Sequence, residues 1–240
     1  MIVHAYVFTW NEHDLLPLFF KNYSWVDKIY FLDYNSDQAD IEMMTKDSRV
    51  EIIQNTTKEL DDGYILKTKN NIWKERSKGV ADWVVVQDFD EFIYHPDMRK
   101  FLEDITKDAY NIIQCDGWDV SGDSIPTSLE NLRGVRNPRM DKSLIFNPNA
   151  IDINYGIGAH YARPIEVKSN QRLKLSRGNV KLLHLKMGCG LQYFLWRLAT
   201  TAPKLSAVNK QQWWGCECLR PEDKQIAEFE DLKKKAVLIK

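Results

Sequence analysis

The sequence predicts an α/β protein with a mostly parallel central sheet flanked by helices. Three observations carry that expectation. Short apolar strands alternate with longer polar or amphipathic stretches over the N-terminal part of the chain, the pattern of strand-helix-strand units. Trp83 to Val86 forms a continuous apolar run of the kind found in parallel strands buried on both faces. Polar residues then mark the ends of three of these strands, at Asn11-Glu12, at Asp33 to Asp37 and at Asp88 to Glu91.

Taken in order, Ile2 to Phe8 reads as a buried strand, with Val3, Ala5 and Val7 on one face and Tyr6 and Phe8 on the other. Leu15, Leu16, Phe19, Phe20 and Tyr23 then follow helical spacing. Lys28 to Asp33 is a second strand and Val50 to Ile53 a third. A turn at Asp61-Asp62-Gly63 opens a long polar helix that ends near Gly79, and Asp82 to Asp88 is the fourth strand. Asn111 to Cys115, Ser143 to Phe146 and Lys181 to Leu185 read as further strands. Gly117 to Arg139, rich in Gly, Pro, Ser and charge, reads as irregular. Leu191 to Ala199 is amphipathic, and Pro221 to Val237 is a terminal helix with Pro in its first turn.

At 240 residues and 44% apolar content, one sizeable core and a single domain over 1–240 are expected. Its two halves are 1–110 and 111–240. Thirty-three basic residues against 34 acidic ones, a net charge of -1, give no general attraction to nucleic acid or to an anionic membrane. No apolar stretch is long enough to span a bilayer and no cationic start leads into one, so a soluble cytoplasmic protein is expected. Cys115, Cys189, Cys216 and Cys218 lack the paired spacing of a structural zinc site and are expected to be reduced thiols.

In an open parallel sheet, ligands bind at the carboxyl ends of the strands. One Asp-rich strand end is commonly a helix cap, but three on one edge suggest a site. Asp88, Asp90 and Glu91 put three carboxylates in four residues. Their mutual repulsion calls for a compensating cation, and dense oxygen ligands suit Mg²⁺ or Mn²⁺ better than zinc. Such an ion leaves positions open for phosphate oxygens, which points to a nucleotide or another diphosphate. Neither a P-loop nor a Gly-x-Gly-x-x-Gly sequence is present.

Thr9-Trp10-Asn11-Glu12, Val26 to Asp37 and Asp82 to Phe92 together resemble family 2-type glycosyltransferases. Their order and spacing match the nucleotide-sugar-binding half of the GT-A fold, and Asp88-Phe89-Asp90-Glu91-Phe92 looks like its Asp-x-Asp element. The likeness continues more loosely through Asp141 to Pro148, Gly156 to His160 and Leu182 to Lys186, to about residue 200. The second motif departs from the usual Asp-Gly-Ser-Thr-Asp form, having neither that Gly nor that Thr.

The resemblance implies a metal-dependent, inverting transferase that moves a sugar from a nucleotide-sugar to a hydroxyl acceptor on a glycan or related molecule, with Mn²⁺ or Mg²⁺ as cofactor. It further implies that Asp33 contacts the base or ribose and that Trp10, Asn11 and Glu12 line the same pocket. Asp88 would bond the ribose and Asp90 the metal, with His184 as a further metal ligand and His160 near the acceptor or sugar. Glu91 could serve the metal, the acceptor or only a following helix. For the general base that an inverting transferase needs, Asp119 is the first choice, ahead of its neighbours Asp116 and Asp123. The basic run Lys67, Lys69, Lys74, Arg76 and Lys78 reads as a solvated helix face that could also assist an anionic donor.

Two other classes remain open at this stage. A sugar nucleotidyltransferase uses a related sheet, but would carry a Gly- and Arg/Lys-rich loop where this chain has Thr9 to Asp14. A non-catalytic carbohydrate-binding protein could use some of the eight tryptophans, Trp213 and Trp214 among them. If Asp90 stands among repelling carboxylates, Asp90→Asn is expected to leave the metal-free protein no less stable.

Overall fold

The computed structural model describes residues 1–55, 57, 59–166 and 173–239. Strand β1 (Val3–Thr9) leads into helix α1 (Leu16–Asn22), β2 (Lys28–Asp33), α2 (Gln38–Met44), β3 (Val50–Gln54), α3 (Asp62–Arg76) and β4 (Trp83–Asp88). After a two-residue turn come β5 (Glu91–Tyr94), α4 (Met98–Lys107), β6 (Ile112–Ser121), β7 (Arg133–Arg136) and β8 (Ile145–Phe146). The chain continues through β9 (Ile151–Tyr155), β10 (Ala162–Glu166), β11 (Leu175–His184), α5 (Leu191–Thr201), α6 (Ala207–Gln212), α7 (Glu222–Lys235) and β12 (Val237–Leu238).

Every residue of β1 is buried, and the strand lies in the middle of the sheet, parallel to β2 on one side and β4 on the other. The half-buried β3 takes the edge beyond β2, also parallel. These four strands fulfil the expected parallel half. On the other flank the order continues β4-β8-β6-β7-β12, and the short β8 runs antiparallel to both its neighbours. Strand β11 lies parallel to β6 and antiparallel to β5. The result is a mixed α/β fold with a largely parallel central sheet.

Two sequence expectations are corrected. Gly117 to Arg139 is not wholly irregular, because β6 runs through Gly117 to Ser121 and pairs with β7. Gly117 is there for contact: a Cβ would come within 2.3 Å of Met140, so only glycine lets the two backbones approach. Glu91 is followed by a strand and not by a helix, which removes the helix role considered for it.

The main core gathers both faces of the sheet, with Phe19 of α1 near its centre. Phe19 stacks on Tyr23 at 4.1 Å and packs against Phe31 and Phe89 at 5.4 and 5.1 Å between ring centroids. Phe89 is buried and so pins the turn that carries Asp88 and Asp90; burying such a ring contributes about 1.5–3 kcal/mol. A second, smaller apolar cluster joins Phe194, Leu198, Leu205, Cys216, Cys218 and Phe229 in the C-terminal segment. All four cysteines are buried free thiols. Among the described residues no helix is long and apolar enough to cross a membrane.

Candidate active site at the carboxyl edge of the sheet

Register brings the three polar strand ends together. Thr9 lies opposite Asp33, and Phe8 opposite Asp88, so the loops after β1, β2 and β4 leave the same edge side by side. Asn11 and Asn35 both adopt positive φ, 49° and 60°, a conformation that Asn tolerates better than most side chains. Asn35 thus turns the loop that follows Asp33. The two loops are stapled: the Asn11 backbone N–H donates to Ser36 Oγ at 2.9 Å, and the Asp37 N–H donates to Asn11 Oδ1 at 2.8 Å. Asp37 caps α2 through the Asp40 N–H at 3.1 Å. Asp33 is fully buried and accepts from the Ser36 hydroxyl at 2.5 Å.

A second register builds the other half of the site. Strands β5, β11 and β6 set Glu91, His184 and Asp119 abreast, although the three are far apart in sequence. His184 Nδ1 lies 3.0 Å from Asp119 Oδ1, and its Nε2 lies 3.5 Å from Asp90 Oδ2. The Leu185 N–H donates to the Asp90 carbonyl at 2.8 Å, and the Asn137 amide donates to Asp119 Oδ2 at 2.7 Å. Burial lowers the His184 imidazole pKa, but hydrogen bonds to Asp119 and Asp90 outweigh burial and raise it to about 9. Burial pushes the Asp90 carboxyl up; the bond to His184, its charge, and the charges of Arg197 and Lys186 reverse this and hold it well below the carboxylate range. Asp119 is lowered by the same balance, again chiefly through His184.

Three further carboxylates of the edge, Asp88, Glu91 and Glu12, each have a cation of the protein's own. Lys69 of α3 donates to both oxygens of Asp88, at 2.7 and 2.8 Å. Buried Lys142 bonds Glu91 and also donates to the Gly158 carbonyl at 2.5 Å. Arg197 of α5 pairs with the buried Glu12 at 2.6 Å, and the Tyr193 hydroxyl donates to its other oxygen at 3.3 Å. Burial pushes the Glu12 carboxyl up to about 8, against the pull of Arg197. The carboxylate repulsion legible in the sequence is therefore largely offset from within.

The C-terminal segment closes over this edge. The Lys204 ammonium stands 3.4 Å from the centroid of the Trp10 ring, and the Arg197 guanidinium 5.5 Å from it. Leu60 and Leu205 form a parallel bridge. The Asn209 side chain accepts from the Asp62 N–H at 2.9 Å and donates to the Asp62 carboxylate at 3.1 Å. Burial and the nearby Asp88 charge push the Asp62 carboxyl up to about 6. Among the described residues, Thr9 Oγ1, Trp10 Nε1, Tyr34 Oη and Glu91 Oε2 are buried without a hydrogen-bond partner. Such orphans are uncommon in native interiors, and Asp40, Trp73 and Asp152 hold others among the described residues.

Of the residues singled out in the sequence, Trp10, Asn11, Glu12, Asp33, Asp88, Asp90, Glu91, Asp119 and His184 all lie along this edge. Asp123 does not join them: it is 78% exposed and pairs with Lys233 of α7. His160 is exposed, with its Nδ1 3.0 Å from the Arg139 carbonyl; its turn is tied to the site through the Gly158 carbonyl and Lys142. The sequence does not single out Lys142 and Arg197, and Lys69 reads there as part of a solvated face that could also assist an anionic donor. A charge set among Phe194, Leu195, Trp196 and Leu198 was the one available signal for Arg197.

The donor set suits a divalent ion of limited protein coordination. Among the described residues no group of three or more His, Cys, Asp or Glu side chains could hold a metal. Asp90 and His184 offer one carboxylate and one imidazole, which leaves most positions to water or phosphate oxygens, as Mg²⁺ and Mn²⁺ sites commonly do. Asp119 on the far nitrogen of the ring is the usual outer partner of a metal-binding histidine.

No protein-family model and no curated protein sequence matches the chain. Among solved structures, S. aureus TarS 1-349 aligns with a TM-score of 0.46 and 15% identity over 88% of this chain and 69% of that one. A longer TarS structure aligns equally, with 42% of its own length covered. TarS 1-349 in complex with UDP-GlcNAc gives a TM-score of 0.48 at 15% identity, with 88% and 70% covered. Likeness at this level does not bear on activity, and the chemistry of the site rests on the residues described above.

Proposed function

We propose that this chain is a glycosyltransferase that moves a sugar from a nucleotide-sugar donor to a hydroxyl acceptor, with a divalent ion at Asp90 and His184. The observation that carries the reading is the convergence of three polar strand ends on the row formed by Glu91, His184 and Asp119. Asp33 and the loop of Trp10 to Glu12 would face the nucleoside, and Asp88 would accept hydrogen bonds from the ribose. When bound, the ion offsets charge that develops on the departing nucleoside diphosphate.

The chain's own residues do the positioning. Asp119 holds the His184 ring so that Nε2 faces Asp90. Glu12 and Arg197 fix the first loop against α5, and Lys142 ties Glu91 to the turn before His160. Asp119 has both oxygens engaged, by His184 and Asn137, which favours orienting the ring over accepting the acceptor's proton. Inversion at the transferred carbon belongs to the same proposal.

The test is a panel of nucleoside diphosphates and nucleotide-sugars, screened by thermal shift with Mn²⁺ and then for sugar transfer or hydrolysis. Ligands that bind only the folded state raise the midpoint with concentration. A midpoint indifferent to every nucleotide, with and without metal, would sink the proposal.

A further inference from the structure

Asp88 and Asp90 stand two residues apart on one turn, yet they are held by chemically different partners. Asp90 faces an imidazole nitrogen at 3.5 Å, and a neutral imidazole is itself a metal ligand. Asp88 faces an ammonium group that contacts both of its oxygens, at 2.7 and 2.8 Å, and an ammonium has three donors and no lone pair. The Lys69 side chain is only 3% exposed, whereas that of Asp88 is 32% exposed. Its Nζ also lies 5.0 Å from the centroid of the Phe8 ring, so the ammonium is packed against an aromatic face as well as paired with the carboxylate. Helix α3 is fixed by the Asp61 cap at 2.9 Å and by Trp73, which is fully buried.

We propose that Lys69 is a positioning residue that withholds the Asp88 carboxylate from any divalent cation, so that Asp90 alone of the pair receives one. A metal on Asp88 would sit beside a fixed positive charge, and displacing that charge would leave a buried lysine unpaired, which is strongly unfavourable. The lone pairs of Asp88 that point away from Lys69 remain able to accept from neutral hydroxyls. The inference rests on the cation site proposed at Asp90 and His184, and it deepens that reading by dividing the work of the two aspartates.

The test is Mn²⁺ affinity of the full chain, measured by calorimetry with and without a nucleoside diphosphate. Lys69→Met should bind Mn²⁺ about tenfold more tightly than the parent, because a further carboxylate joins the ligand set. Asp88→Asn added to Lys69→Met should remove that gain, and Lys69→Arg should behave as the parent. Should Lys69→Met fail to fold, Lys69→Gln keeps one hydrogen bond without the charge and should show the same gain. A neutral variant that binds Mn²⁺ no more tightly than the parent overturns the inference. So does a parent whose affinity falls as far with Asp88→Asn as with Asp90→Asn. The parent's own response to Mn²⁺ with nucleotide decides the underlying site separately: no binding there removes the Asp90–His184 reading, whatever the Lys69 variants do.

Discussion

Asp119 accepts a hydrogen bond from His184 Nδ1 at 3.0 Å, and that single contact sets which nitrogen of the ring faces Asp90. With Nδ1 protonated and directed at Asp119, the lone pair of a neutral ring lies on Nε2, on the Asp90 side. The two residues come from neighbouring parallel strands in direct register, so the orientation is built into the sheet.

Asp119→Asn should therefore act on metal binding more than on folding. Loss of an outer carboxylate partner commonly weakens a metal site by about 10–100-fold, and calorimetric titration with Mn²⁺ measures it. Unchanged Mn²⁺ affinity would show that the contact is only structural.

Metal binding should also depend on pH. His184 is raised to about 9, so at neutral pH a proton must leave before the ring can ligate. Mn²⁺ affinity should rise about tenfold per unit between pH 7 and 9 and level off above that. The metal-free protein should show the opposite trend. A histidine raised on folding stabilises fully below its unfolded pKa of about 6.5, and that contribution fades as pH rises through about 9. Denaturant midpoints from pH 6 to 10 for the parent and His184→Asn would show it; parallel profiles would refute it.

Asp90→Asn is the decisive substitution for turnover. Removing the charge should cut metal-dependent transfer by about a hundredfold or more. Repulsion among the carboxylates led to the expectation that the metal-free variant would be no less stable. The structure reverses that expectation, because Asp90 is stabilised by His184, Arg197 and Lys186. Asp90 and His184 are only half-buried, so a loss of about 1.5–3 kcal/mol, the size of a hydrogen bond to a charged group, is expected, and urea unfolding without metal checks it.

Glu91→Gln should be more damaging to stability than to Mn²⁺ affinity. Lys142 is 2% exposed and pairs with Glu91, so the substitution leaves a buried ammonium short of its counter-charge, at a cost of about 3–5 kcal/mol. Replacing both residues by apolar ones of similar volume should recover much of the loss. If Glu91→Gln unfolds at the parental urea concentration, the pair contributes little.

The parallel half was legible because each central strand is a local apolar run: the expected Ile2 to Phe8, Lys28 to Asp33 and Asp82 to Asp88 all lie within a residue of the observed bounds. Polar ends on those runs all leave one edge of the sheet. The cations that complete the site were not legible, since Lys69, Lys142 and Arg197 meet Asp88, Glu91 and Glu12 only through distant pairings. Asn35 shows a second reason. Its left-handed backbone is one that Asn tolerates but does not require, so the residue type alone does not announce the turn. His184 entered only through resemblance, because its short strand alone is indistinguishable from ordinary core.

The sheet order also has a consequence for synthesis on the ribosome, where the N-terminus emerges first. Residues 1–88 contain β1 to β4 and can assemble the parallel half with the loops after β1 and β2. They leave the β4 edge bare until Ile145 and Phe146 arrive to pair with it, and an open strand edge is a template for misassociation. The histidine comes later still, on the last long strand. A ribosome-stalled nascent chain ending before residue 175 would therefore carry the loops proposed to face a nucleoside and lack His184, the proposed metal ligand, so nucleotide binding and metal binding should appear at separate chain lengths if both proposals hold.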